Sequence, residues 1–164
     1  MATFISHNAA ATTRLGEEWG RVAARGLVIG LCGELGAGKT QLVKGLARGL
    51  EIEARVHSPT FALVNVYSGG RLSLFHLDLY RLETREQIIA AGLEEYLSPD
   101  GVTVIEWAER LVVEQGGRNE GGASEKSGIG RGPSSTSLPR GFRWVRIEVL
   151  SETERRIFYE DFSA

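Results

Sequence analysis

Residues 33–40, Gly33-Glu34-Leu35-Gly36-Ala37-Gly38-Lys39-Thr40, fit the pattern G-x-x-x-x-G-K-[ST]. Such a run serves to grip a polyphosphate. Its glycines let the backbone fold round an anion with its N–H groups pointing inward, through conformations that a Cβ would obstruct. Lys39 would then meet the β and γ phosphates as a point charge, and the Thr40 hydroxyl would be a ligand to Mg²⁺. A Mg-nucleotide site also needs a carboxylate, to hold the metal or a water of its shell and to position an attacking water. Asp78 follows the apolar run 72–77 and Glu106 follows the run 102–105, so both acids stand at strand ends, where ligands of open sheets gather. On the residues alone, either acid can be the metal ligand. In Ser58-Pro59-Thr60-Phe61, a loop would set the Thr60 hydroxyl beside a γ phosphate as a switch does, although an ordinary turn has the same composition. His76 shares a strand side with Asp78 and reads as structural rather than as a general base. Trp107, next to Glu106, fits a ring packed over the site or at an interface, although an aromatic at a strand end is more often plain core, and Cys32 reads as a small core residue.

These groups need a scaffold, and the run of elements supplies one. Thr3 to Ser6 is the first strand, and Thr12 or Thr13 is expected to cap a helix with Leu15, Trp19, Val22 and Ala23 on its inner face, stopping near Gly26. Residues 27–32 form a buried strand that feeds directly into the glycine loop. A helix from Lys39 to about Leu50 follows, with Leu42, Val43, Leu46 and Ala47 along its inner stripe. Residues 62–67 and 72–77 pair as a hairpin through Ser68-Gly69-Gly70. Residues 83–97 are helical with a break at Gly92, 102–105 form a short strand, and two more strands are expected at 143–149 and 155–159. Strands alternating with helices, plus one hairpin, predict an α/β class: a P-loop NTPase-like three-layer fold with a mixed, mostly parallel central sheet.

The 164 residues, 42% hydrophobic and 24% charged, suit one domain spanning 1–164. Within it, eight of the 21 glycines fall between Gly116 and Gly141, a Gly/Ser-rich stretch too poor in apolar residues to order itself and read as a flexible surface insertion. Nineteen Lys and Arg against 21 Asp and Glu give a net charge of -2, which excludes a broad basic field, so any link to RNA is expected to be indirect. The single cysteine excludes an intrachain disulfide. No apolar run approaches the roughly 18 residues of a membrane span, and Glu17 and Glu18 stand where a signal peptide is apolar. Membrane insertion and export are therefore not expected, and the cytoplasm fits.

Taken in order, residues 33–40, Ser58-Pro59-Thr60-Phe61, His76-Leu77-Asp78-Leu79-Tyr80-Arg81-Leu82 and Ile105-Glu106-Trp107-Ala108-Glu109 resemble the bacterial TsaE (YjeE) ATPase family of tRNA threonylcarbamoyladenosine synthesis. Ala91-Gly92-Leu93-Glu94-Glu95-Tyr96-Leu97 adds to the likeness, which runs from about Thr3 to Leu111. The resemblance implies a small ATPase that binds ATP or ADP with Mg²⁺ and supports the TsaD and TsaB subunits. Those partners modify adenosine 37 of tRNAs reading codons that begin with A, and contact with tRNA passes through them. It also implies that Thr40 and Glu106 hold Mg²⁺, that Asp78 assists hydrolysis or a metal-bound water, and that Thr60 lies near the γ phosphate. Trp107 matches the family's tryptophan near the site, while the segment around Thr12 and the pair Arg155-Arg156 fall where the family brings residues near the base. The stretch 116–141 departs from the family pattern and inherits no role.

Two other functions fit the phosphate loop. A small nucleotide or metabolite kinase would need an arginine lid, which Arg118, Arg131 and Arg140 imitate. A nucleotide-dependent binding module would keep the site and hydrolyse negligibly. A GTPase is disfavoured, because neither an N-K-x-D nor a D-x-x-G motif follows the loop.

Overall fold

The computed structural model describes residues 1–111, 138 and 140–162. Apart from 138, 140 and 141, the segment 116–141, with Arg118 and Arg131, lies outside the described residues. The elements run β1 (Ala2–Ser6), α1 (Ala9–Val22), β2 (Val28–Cys32), α2 (Lys39–Gly49), β3 (Val64–Tyr67), β4 (Leu74–Asp78), α3 (Arg85–Ala90), β5 (Val102–Glu106), β6 (Phe142–Val149) and β7 (Arg155–Phe162), with 3-10 turns at Leu93–Leu97 and Ala108–Leu111.

All seven strands join one sheet, in the order β1-β7-β6-β2-β5-β4-β3. The four central strands β6, β2, β5 and β4 run parallel. Antiparallel pairings close the margins, β6 with β7, β7 with β1, and β4 with β3. The sheet is thus mixed as expected, but its parallel part is confined to the centre and does not outnumber the antiparallel pairings. β2 is buried along its whole length, as a strand covered on both faces must be.

Two apolar layers cover the sheet. On one face Leu15 and Trp19 of α1 and Leu42, Leu46 and Leu50 of or next to α2 pack against Ile29, Leu31, Val104, Val145 and Ile157. On the other, Ile88 of α3, Leu93 and Ala108 pack against Val28, Leu77, Ile105 and Phe142. The α1–α2 contact is tight because both helices present glycines there: a Cβ on Gly16 would strike the Leu42 carbonyl, and one on Gly45 the Thr13 carbonyl.

Several local expectations change. Helix α1 begins four residues earlier than a Thr12 cap would allow and five earlier than a Thr13 cap: Asn8 is the cap, its Oδ1 accepting from the Ala11 N–H at 2.8 Å. Val22 is 81% exposed and does not belong to the inner face. The helix stops at Val22, where Ala23 leaves the helical region at ψ 132°, and its end is capped by Arg71 from far along the chain, whose guanidinium donates to the Gly20 and Ala23 carbonyls at 2.7 and 2.8 Å. Helix α3 has a capping box between Thr84 and Gln87 and ends at Ala90, and Gly92, two residues on, adopts φ 73° at the break expected from the pattern.

Candidate functional site

The strand β2 delivers the chain into the loop 33–38, and α2 opens at Lys39 with Gly38 as a left-handed cap that has no side chain to occupy the helix amides. Gly36 and Gly38 have φ of 80° and 100°, values that side-chain-bearing residues resist, so the loop depends on glycine there. The amides at this helix end are left available to an anion. Arg155, from the start of β7, donates through Nε to the Ala37 carbonyl at 3.0 Å and so braces the loop from outside.

The loop forms one wall of a cavity of about 380 Å³, shared with Lys39, Thr40, Gln41, Lys44, Ser58, Thr60, Asp78, Tyr80, Glu106 and Trp107. β4 and β5 are parallel neighbours in the register Asp78 to Glu106, so both strands end level and set the two carboxylates side by side at the carboxyl edge. His76, Asp78 and Glu106 share the α2 face because strand side chains alternate.

Each carboxylate has its own partners. Glu106, 3% exposed, accepts on Oε1 from the Thr40 hydroxyl at 2.9 Å and pairs at 2.8 Å with Nε2 of His76, which is fully buried. Toward a carboxylate, which accepts, Nε2 is the donor; among the described residues Nδ1 of the same ring has no partner. Asp78, 2% exposed, accepts on Oδ2 from Ser58 at 2.7 Å and Thr60 at 3.0 Å, and on Oδ1 from the Tyr80 N–H at 2.9 Å. The loop bearing those hydroxyls is tied down by its backbone, Leu63 N–H to the Pro59 carbonyl and Asp78 N–H to the Leu63 carbonyl.

Lys39 is folded back on its own loop. Its Nζ donates to the Gly33 and Glu34 carbonyls at 2.7 and 2.9 Å and stands 4.0 Å from the centre of the Trp107 ring. Burial pulls the ammonium below its usual pKa, and the nearby carboxylates of Glu106, Glu109 and Asp78 oppose that shift. Trp107 has φ 61°, a left-handed conformation that costs a non-glycine residue about 1–2 kcal/mol. Strain of this kind gathers at ligand sites. Its ring also meets that of Tyr80, with centroids 5.0 Å apart.

The structure therefore brings together Gly36, Ala37, Gly38, Lys39, Thr40, Thr60, Asp78, Glu106 and Trp107, with Leu35 at the rim, 80% exposed. Gly33 and Glu34 contribute the carbonyls that hold Lys39. Thr12 is not brought to the cavity: it is 2% exposed, and its hydroxyl pairs with Ser6 at 2.7 Å, locking β1 to α1. Arg155 touches the loop's carbonyls and is not among the lining residues. His76, expected from the sequence to be structural, is bonded to Glu106, and Ser58, for which the sequence suggests no role, makes the shorter of the two hydroxyl bonds to Asp78. Cys32 is buried as expected, and desolvation together with Glu109 pushes its thiol far above the usual range. Among the described residues no helix is long and apolar enough to cross a membrane.

Comparison with known proteins bears on the whole arrangement. Residues 6–120 match the family model of the threonylcarbamoyl adenosine biosynthesis protein TsaE. The tRNA threonylcarbamoyladenosine biosynthesis protein TsaE of Treponema pallidum is 47% identical over 110 residues, covering 67% of this chain and 81% of that protein. Its namesake in a Nostoc species is 48% identical over 61% of this chain, and the aligned part spans 64% of that relative. The crystal structure of Bacillus subtilis YdiB superposes with a TM-score of 0.70 at 27% identity, covering 99% of this chain and 86% of that one. The family model covers more than half of the chain and the fold agrees, so the chain belongs to the TsaE family.

Proposed function

We propose that this chain binds ATP with Mg²⁺ in the phosphate-loop cavity, hydrolyses it, and thereby supports threonylcarbamoyladenosine modification of adenosine 37 in tRNAs reading codons that begin with A, acting with the TsaD and TsaB subunits. One observation carries the catalytic reading: two buried carboxylates, each bonded to hydroxyls, converge beside an open helix end. Membership of the TsaE family supports the tRNA role, and the relatives' names point the same way.

The donor set suits Mg²⁺. Thr40 Oγ1 and Glu106 Oε1 are hard oxygens 2.9 Å apart on the cavity wall, and Mg²⁺ typically takes one or two protein oxygens and completes its shell with water and phosphate. When bound, the ion neutralises charge on the β and γ phosphates. The helix amides and Lys39 hold the phosphates, Lys39 exchanging its two loop carbonyls for them. His76 keeps Glu106 aimed at the cavity by holding the oxygen that Thr40 also holds. Asp78, with Ser58 and Thr60, orients a water for in-line attack. The water oxygen bonds to the γ phosphorus, the bond from that phosphorus to the bridging oxygen breaks with ADP keeping the electron pair, and a proton passes to solvent. The cytoplasm is the expected setting.

The test is Mg²⁺-dependent ATP turnover by this chain alone and with TsaD, TsaB and substrate tRNA, scored with repeated formation of threonylcarbamoyladenosine. Stimulation of both is expected. ATP consumption that responds only to a small-molecule acceptor, and not to the partners, would instead establish a kinase.

A further inference from the structure

Beside the phosphate-loop cavity opens a smaller hollow of about 300 Å³, lined by Thr40, Lys44, Arg55, Val56, His57 and Ser58. Thr40, Lys44 and Ser58 line both spaces, so the two adjoin on the side of the cavity where Thr40 and the Ser58 loop stand. Lys44 stands one helical turn beyond Thr40 on α2, on the same side of the helix. Arg55 and His57 come from the segment joining α2 to β3.

That segment is held by its backbone and by a buried side chain. Val56 is 6% exposed, the His57 N–H donates to Tyr67 Oη at 3.3 Å, and the His57 carbonyl accepts from Asn65 Nδ2 at 3.1 Å. The side chains of Lys44, Arg55 and His57 remain exposed. Among the described residues none of the three forms an ion pair, whereas Arg21, Arg25, Arg48, Arg143 and Arg156 all do. No carboxylate lines the hollow. Two full positive charges and an imidazole thus line a space that adjoins the phosphate-loop cavity. The ligand that fits is a small oxyanion, since guanidinium and ammonium groups recognise phosphate through charge-assisted hydrogen bonds.

We propose that this hollow is an oxyanion subsite that receives the inorganic phosphate split from ATP before it leaves the protein. The proposal rests on reading the main cavity as an ATPase site. Lys44, shared by both spaces, hands the anion from one to the other, and Arg55 and His57 belong to the subsite alone.

The test uses inorganic phosphate on protein loaded with ADP and Mg²⁺, followed by calorimetry, on the wild type and on Arg55→Ala and His57→Ala. Both side chains are exposed, so their loss leaves the fold and the ADP grip intact. Phosphate is expected to bind the loaded wild type, to weaken about fivefold in each variant, and to fade with added salt. ADP affinity is expected to stay within about twofold. Absence of phosphate binding to the loaded protein, or binding that is equal in wild type and variants, would overturn the subsite. Phosphate that is displaced by a non-hydrolysable ATP analogue and is indifferent to both variants would overturn it too, by placing the anion at the γ position. Failure of ADP itself to bind is a separate result that would overturn the nucleotide reading and this one with it.

Discussion

The two carboxylates stand level on adjacent strands, yet their surroundings differ. Glu106 is held by Thr40 at the mouth of α2 and by the buried ring of His76 on β4, groups fixed by regular elements on both sides. Asp78 is held by Ser58 and Thr60, hydroxyls of a loop whose next residue, Phe61, is 82% exposed. One corner is built into the sheet and the other depends on a surface segment. The comparison teaches a division of labour: the rigid corner suits a metal, whose geometry tolerates little motion, and the loop corner suits a group that must form and release contacts during turnover.

Substitutions at three positions probe that division, and one at a fourth position serves as an outside reference. The largest effect is expected from Glu106→Gln, which keeps the shape and removes the charge; steady-state ATP turnover should fall about 10³-fold and lose its dependence on Mg²⁺. Asp78→Asn should lower turnover about 10²-fold with ADP affinity unchanged by titration, the mark of a group that acts in the transition state. For His76, the Leu variant should raise the Mg²⁺ half-saturation about tenfold, and the Gln variant, whose amide can stand near Nε2, should recover most of it. A role in packing alone would leave the half-saturation where it is. Smallest is Asp161→Asn, outside both corners. Arg143 donates to Asp161 at 2.5 and 2.7 Å and holds its carboxyl below the usual 3.8. The pair therefore stabilises the fold above that value and is lost as pH falls through the lowered one. At 54% side-chain exposure of Asp161 it contributes no more than about 0.5 kcal/mol, so thermal unfolding of the variant should shift slightly at neutral pH and not at all in strong acid.

The parts of the site legible in the sequence are those that rest on contiguous residues. Apolar run, glycine loop and helix follow without interruption from Val28 to Gly49, and Asp78 and Glu106 each end a short, largely apolar run that marks a strand. What was not legible depends on pairing between distant segments. The bond from His76 to Glu106 exists only because β4 and β5 are parallel in one register, and Ser58 reaches Asp78 only because the Pro59–Leu63 turn is stitched to the end of β4. Arg71 capping α1 and Arg155 bracing the phosphate loop are likewise products of tertiary contact. The misplaced cap of α1 has a local cause: Asn8 and Thr12 are both good cap residues, and the choice fell to Asn8 once Ser6 bonded the Thr12 hydroxyl. A sequence without disulfides or repeats offers no signal for such long-range choices.

In the mechanism proposed above, Glu106 serves the metal and Asp78 the water. The most direct measurement is the affinity of Glu106→Gln and Asp78→Asn for a non-hydrolysable ATP analogue, with Mg²⁺ and with chelator. Mg²⁺ is expected to strengthen binding in Asp78→Asn as it does in the wild type and to have no effect in Glu106→Gln. The reverse pattern, Mg²⁺ enhancement kept in Glu106→Gln and lost in Asp78→Asn, would contradict that mechanism.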